Sequence, residues 1–515
     1  MAKTKDDALV TSSEVDSQDD LDKVGYRSEF RREFSLLETV SFSLAIMAVS
    51  CGITTGYQYP LLSGGHMAII WAWFIASFPV MCIPASMAEL ASSMPTSAGL
   101  YYFSAKMASE NRSALASWIT GWSNITGQIT LVCSINYSSA IMITSAISMA
   151  TDGAVILTQA ATFGILMAIH FTQGIICSAG TRVLARMTVV IMVIILGTTF
   201  SAIIALLVCA GDRRVSAKTA FTSFENNTGW GNNGWAFILA FTSPMWSLTG
   251  YDSAAHIAEE TANAARAAPI AILVGVAATE ILGWLYYIAA SFATQSVTET
   301  LQTTLPLPMG QVFLDTLGKT GSLALWIPIA VLQYMCGCSQ AVDASRVVFA
   351  FSRDNALPGS RWWKHINPYT LTPINAVWFV ILMSAICGIL SFSAAAFDSL
   401  ASASVIGLYV SYVTPIYFRI TSGEKKFKPG PFSLGRWSRL SGAISVLWTV
   451  FMVIMLLFPY ARQVDAQTMN YSVVLVMAVA LFASLSWIFS ARHWFTGPVP
   501  NIDNKKYENE KEEST

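Results

Sequence analysis

Polar and ionisable residues interrupt an apolar run between Phe241 and Ala262. They are Ser247, Thr249, Tyr251 and Asp252, then His256, then the adjacent pair Glu259 and Glu260. A carboxylate at the centre of a membrane-spanning helix costs at least about 2.5–3.5 kcal/mol, so it faces a cavity or a partner rather than lipid. Gly250 stands in the same stretch, and glycine lets helical backbone open and turn its N–H and C=O groups toward a ligand. A glycine-broken helix with an ionisable residue near mid-depth is the pattern of a secondary transporter's substrate site. Three jobs are open to Asp252: meeting a substrate amine, taking up and releasing a proton, or capping the half-helix that begins after Gly250. Trp246, just before the break, either closes over the substrate with a cation–π face or packs as a core aromatic, and Tyr251 adds a similar surface. His256, Glu259 and Glu260 lie one to two turns further on and read as the polar network of an inner gate.

A second interruption lies in the first apolar run, at Ser50, Cys51, Gly52, Ile53, Thr54, Thr55 and Gly56. Open backbone near Cys51–Ile53 would aim the amides of a half-helix start into a cavity, which suits a substrate carboxylate. Gly52 then permits close approach, although glycine is equally a packing residue between membrane helices. Asn124 and Gln128 stand four apart in the third run and share a face, from which they line the cavity or bridge helices. Glu280, midway along the seventh run, is a further proton-coupling candidate unless a neighbour such as Thr279 satisfies it by hydrogen bonding. Catalytic patterns are thin. No HExxH or GxSxG string occurs, and Gly318-Lys319-Thr320 has Phe313 where a phosphate loop begins with glycine. Neither enzyme chemistry nor a cofactor or metal is expected.

The elements that must position these residues are membrane helices. Of 515 residues, 54% are hydrophobic and only 12% charged, with a mean hydropathy of +0.52, whereas soluble domains carry about 25% charged residues. Twelve runs of spanning length follow one another, near 38–60, 66–88, 117–147, 155–178, 184–210, 235–256, 268–292, 320–343, 374–393, 398–418, 438–459 and 471–490. The third is longer than a bilayer needs and must tilt or protrude. The expected organisation is a charged tail at 1–36, one membrane domain over 37–492 and a second charged tail at 493–515. The first tail lacks the apolar core of a signal peptide. With both termini inside, 25 of the 30 lysines and arginines fall on the cytoplasmic side, which fixes the expected orientation. A net charge of −1 excludes a broad nucleic-acid-binding surface. The partners expected are a small-molecule substrate, the lipid bilayer and protons as coupling ion.

Four strings resemble the amino acid–polyamine–organocation superfamily, in its amino acid/choline branch. They are Ser50-Cys-Gly-Ile53, with Gly64-Gly65 beyond it; Ala88-Glu-Leu-Ala-Ser-Ser-Met-Pro-Thr-Ser-Ala-Gly-Leu-Tyr101; Thr249-Gly-Tyr-Asp-Ser-Ala-Ala-His-Ile-Ala-Glu-Glu-Thr261, followed by Pro269; and Phe351-Ser-Arg-Asp-Asn-Ala-Leu-Pro358. The resemblance covers nearly the whole chain and departs at Ala98, where the family has a second glycine. It implies an all-α polytopic membrane protein with twelve transmembrane helices, a five-plus-five inverted repeat and two peripheral helices. It also implies substrate held at the breaks of helices one and six, with Trp246 at the occluding position. The intact Thr249–Asp252 segment and Gly121-Trp-Ser-Asn-Ile-Thr-Gly-Gln128 look closer to γ-aminobutyrate-type permeases. The function expected is import of an amino acid or related amine by proton symport, across the plasma membrane, with the vacuolar or another internal membrane as the alternative. Choline, thiamine or polyamine transport on the same fold is the alternative, and a non-transporting nutrient sensor is a third.

Overall fold

The computed structural model describes residues 33–179, 181–393, 395–465 and 469–499. Most of the two charged tails expected at 1–36 and 493–515 lies outside the described residues. Among the described residues, eleven helices are long and apolar enough to cross a membrane. The remaining run, the sixth, near 235–256, is broken into pieces too short to span alone.

The first run consists of α1 (Leu36–Met47) and α2 (Val49–Gly56). Ser35 caps α1 through a reciprocal box with Glu38, which satisfies two otherwise orphan amides. The second run, α3 (Gln58–Ser93), takes over from α2 through Tyr57 in helical geometry, and the chain turns at Gly65 (φ 57°). A short α4 (Gly99–Met107) leads into α5 (Ser113–Ala150), the long third run. Then come α6 (Gln159–Cys177) and α7 (Thr181–Ala210). The broken sixth run is α8 (Asn233–Leu239), α9 (Thr242–Ser247) and α10 (Ser253–His256). The remainder are α11 (Ala264–Ala293), α12 (Pro308–Arg353), α13 (Ile374–Cys387), α14 (Ala396–Ile420), α15 (Ser438–Met455) and α16 (Ser472–Phe489). The eighth run begins earlier than its hydropathy suggests, because α12 continues past a non-helical Gly318 (φ 67°) to a less apolar stretch at Pro308.

Burial sorts these helices into layers. The apolar windows of α5 and α14 are 83% buried and that of α1–α2 78%, so these helices form the centre. The last two, α15 and α16, are 33% and 11% buried and give most of their apolar surface to lipid, as peripheral helices do; α7, also at 33%, is the outward-facing member of the first ten. At the centre α5 and α14 cross backbone to backbone. A Cβ on Gly127 would stand 2.6 Å from the Leu408 amide nitrogen, and one on Gly407 would stand 2.6 Å from that of Gly127. Small residues let membrane helices approach this closely. The crossing sets Asn124 beside Ser411, to which its Nδ2 donates at 3.1 Å. Gly127→Ala must part the two backbones and is expected to lower stability by about 1–3 kcal/mol. Thermal unfolding of the purified protein in detergent checks this, and an unchanged midpoint would show that the crossing has slack.

At one end of the bundle the segment entering α1 is stitched to the segment leaving α10. Phe34 N–H donates to Glu260 C=O (3.0 Å), and Ala262 N–H donates to Phe34 C=O (2.9 Å). The two broken runs are therefore tied together at the end that carries the Glu259–Glu260 pair.

Candidate functional site

The two breaks face each other. In the sixth run the helix stops at Ser247 and restarts at Ser253, with Gly250 at φ 85°. Tyrosines of α14 hold this opened backbone: Tyr409 OH donates to Leu248 C=O (3.2 Å), and Gly250 N–H donates to Tyr412 OH (3.3 Å). The first run breaks earlier than expected. Ala48 is the non-helical residue (φ 34°, ψ 68°), while Ser50, Cys51, Gly52, Ile53 and Thr54 are all helical within α2. The Cys51 and Gly52 amides are spent on Ala48 C=O (2.8 and 3.0 Å), so they are not the open donors. Those are Val49 and Ser50, whose amides find no acceptor among the described residues. Gly52 is instead a packing glycine, since a Cβ there would lie 3.0 Å from Ser247 Oγ.

Between the breaks lies a small cavity of about 20 Å³, room for about one water. The first run lines it with Ile46–Ala48, Cys51 and Gly52, and the sixth with Trp246, Ser247 and Thr249. Leu131 and Ile135 of α5 and Gln333 and Cys336 of α12 complete it. Of the expected binding residues, then, Cys51, Gly52, Trp246, Ser247 and Thr249 reach the cavity. Ser50, Ile53, Thr54, Gln128, Gly250, Tyr251 and Asp252 do not line it. Thr54 Oγ1 donates to Ser50 C=O (2.7 Å), and Tyr251 packs against Tyr412 with ring centroids 4.9 Å apart and the planes tilted by 42°.

Asp252 belongs to a polar cluster one turn further along. Its side chain does not cap α10. Oδ1 accepts from Tyr412 OH (2.6 Å), and Oδ2 meets Asn124 Nδ2 (3.2 Å), Gln128 Nε2 (3.3 Å) and His256 Nε2 (3.0 Å). Gln128 Nε2 also donates to Asp343 Oδ2 (2.8 Å), and Gln340 Nε2 donates to Gln128 Oε1. Asn124 and Gln128 thus bridge helices rather than line the cavity. His256 belongs to this cluster and not with the glutamates beside it in sequence, because four residues of helix return it to the face of Asp252.

Beyond His256 the glutamate pair forms two buried ion pairs. Glu260 receives Arg346 Nε at 2.8 Å and Nη2 at 3.3 Å; Glu259 receives Arg353 Nη1 at 3.2 Å. Thr96 Oγ1 and Ser97 N–H also donate to Glu259 Oε1 (3.3 and 3.2 Å). Glu259, Glu260 and Arg346 are at most 1% exposed. The network ties these segments together at that end of the bundle. Three of the sequence strings converge here: Ala88–Tyr101 supplies Thr96 and Ser97, Thr249–Thr261 supplies the glutamates, and Phe351–Pro358 supplies Arg353.

Glu280 is not part of either group. It faces an apolar groove of about 740 Å³ among Phe74, Phe78, Trp284 and Leu440. Thr279 Oγ1 is spent on Gly275 C=O, and Glu280 Oε1 has no partner. Asp343, Gln340, Gln333, Tyr409 and Tyr412, by contrast, are site residues that sequence reasoning passed over. Gln333, Gln340 and Asp343 are spaced seven and three apart in the eighth run, which places them on one helical face, and that spacing was the available signal.

Two broken helices facing across a bundle of spanning helices, with buried ionisable groups beside the gap, define a multi-pass membrane transporter. Sequence comparison sharpens the class. The family model described as amino acid permease matches residues 34–479. The chain belongs to the amino acid permease family, whose members are transporters and not enzymes, and its substrate is a small molecule of the amino acid class. It is 36% identical over 498 residues to an uncharacterized amino-acid permease of Schizosaccharomyces pombe, covering 96% of this chain and 92% of that one. It is 34% identical to Amino-acid permease BAT1 of Arabidopsis thaliana, over 94% and 96% of the two chains. It is 32% identical to the GABA-specific permease of Saccharomyces cerevisiae, over 95% and 86%.

Proposed function

We propose that this protein imports an amino acid or a related amine such as γ-aminobutyrate by proton symport at the plasma membrane, with both termini in the cytoplasm and one membrane domain over 37–492. The observation that carries the reading is the pair of facing breaks on one small cavity. The unpaired Val49 and Ser50 amides at the start of α2 suit a substrate carboxylate, since a helix N-terminus concentrates donors and positive dipole. The opened backbone around Ser247–Thr249 offers carbonyl groups to the amine, with the Trp246 ring as a cation–π face. Asp252, already held by four side chains, belongs to a buried polar cluster that serves the coupling proton rather than the substrate. Glu259 and Glu260, locked to Arg353 and Arg346, serve as the cytoplasmic gate. A match to relatives named for amino acids and γ-aminobutyrate favours this substrate class over choline, thiamine or polyamines.

Uptake of a labelled panel of amino acids, γ-aminobutyrate, choline, thiamine and putrescine into permease-deficient cells tests the reading. Uptake of at least one amino acid or γ-aminobutyrate is expected, and a protonophore should abolish its accumulation. Choline uptake without amino-acid uptake overturns the substrate class. Accumulation that ignores the protonophore overturns the coupling.

A further inference from the structure

We propose that Asp343 of α12 is the carboxyl group that carries the transported proton, held against Asp252 by the amide of Gln128 that both share. The inference rests on the proton-symport reading and names the site within it.

The two carboxyl groups are unequally furnished. Asp252 has four donor side chains around it, whereas Asp343 has one. Asp343 is fully buried, and its Oδ1 has no hydrogen-bond partner. A buried carboxylate surrounded by donors holds its charge well, and one with a single donor holds it poorly. Of the pair, Asp343 is therefore the group whose proton is worth keeping. Gln340 Oε1, three residues earlier on the same helix, is likewise buried and receives no donor.

Charge balance gives the same answer. The charged groups close to Asp343 are Asp252 and His256 from the broken sixth run and, on its own helix, Arg346. Arg346 is neutralised by Glu260, and Arg353 by Glu259. What remains is two carboxyl groups and one imidazole. Even with His256 charged, that set has one negative charge in excess, and a single added proton removes it. Two close carboxylates in a low-dielectric site share protons as a unit.

Release of the proton would also reach the gate. Arg346 follows Asp343 by three residues and so stands beside it on the helix. An anionic Asp343 competes with Glu260 for that guanidinium and loosens the contact that closes the cytoplasmic end. A proton taken up from the outer water thus neutralises the cluster and permits closure; its loss to the inner water favours opening. Nothing else is consumed or formed.

The test uses the full chain purified into liposomes, with the labelled panel member that the wild type takes up best, or γ-aminobutyrate where several are equal. Two assays run in parallel: accumulation driven by an inward proton gradient, and counterflow exchange without a gradient. One pH unit limits accumulation to about tenfold for one proton per substrate. Asp343→Asn is expected to bring accumulation down to equilibration while counterflow persists, and Asp343→Glu is expected to retain gradient-driven accumulation with a shifted pH profile. Asp343→Asn that still accumulates substrate like the wild type overturns the assignment, as does loss of counterflow in a folded protein, which would make Asp343 a substrate ligand. If the Asn variant does not fold, Asp343→Glu decides: a pH profile superimposable on the wild type overturns the proposal. A wild type indifferent to the gradient overturns the symport reading itself, and is thereby distinguished from failure at Asp343 alone.

Discussion

Arg346→Met is expected to destabilise the folded protein by about 3–5 kcal/mol, the cost of leaving a buried charge without its partner. Glu260 is fully buried, with two contacts from Arg346 at 2.8 and 3.3 Å. Removing the guanidinium strands the carboxylate beside the bundle's closed end, where neither lipid nor water satisfies it. The double variant Arg346→Met with Glu260→Leu removes both charges and keeps much of the volume, and apolar replacements of whole buried pairs are neutral or stabilising. It should therefore recover most of the lost stability. It should not recover normal transport, because a gate that no longer depends on an ion pair cannot be loosened by a competing anion at Asp343. Thermal unfolding in detergent gives the first result and uptake the second. A single variant as stable as the wild type would mean that Glu260 is hydrated and that the pair does not close the site. A double variant with normal uptake would show that closure is set elsewhere.

The sixth-run break was legible because two independent features coincided, a glycine and a set of polar residues too costly for lipid. The first-run break was legible only in outline. Ser50–Gly56 attracts attention because glycine is permissive, yet the chain opens at Ala48, which adopts a left-handed conformation costing about 1–2 kcal/mol for a residue with a Cβ. Nothing in the local sequence requires an alanine to do this; the surrounding helices do. Gly52 and Gly56 turn out to accommodate Ser247 and Ser243. The intramembrane-carboxylate rule found Asp252 and Glu280 but passed over Asp343, which sits at the end of its apolar run and reads as a boundary residue. Glu280, found by the same rule, lies on a helix face that lines an apolar groove apart from the cluster; burial depth says nothing about which side of a helix faces the cluster. Tyr409 and Tyr412 look like ordinary core aromatics until the fold places their hydroxyls on the opened backbone of a helix about 160 residues away. Spans and composition are properties of local sequence; the cluster is a property of packing.

Gly250→Ala is expected to abolish transport and to lower stability by roughly 2–5 kcal/mol, from two separate costs. At φ 85° an alanine is strained whatever surrounds it, by about 1–2 kcal/mol. Its Cβ would also press on Ile46 Cγ2 and stand 3.3 Å from Gln340 Oε1, and overpacking adds about 1–3 kcal/mol. Relief by returning to regular helix would withdraw Leu248 C=O from Tyr409 and Gly250 N–H from Tyr412, closing the backbone whose opening makes the substrate site. The two costs are separable by a second substitution. Ile46→Ala on the Gly250→Ala background makes room for the Cβ but leaves the backbone strain, so stability should return in part while uptake stays absent. Normal uptake by Gly250→Ala would show that transport does not need the break held open. Recovery of uptake in the double variant would show that crowding against Ile46, rather than the left-handed turn, was what the glycine served to avoid.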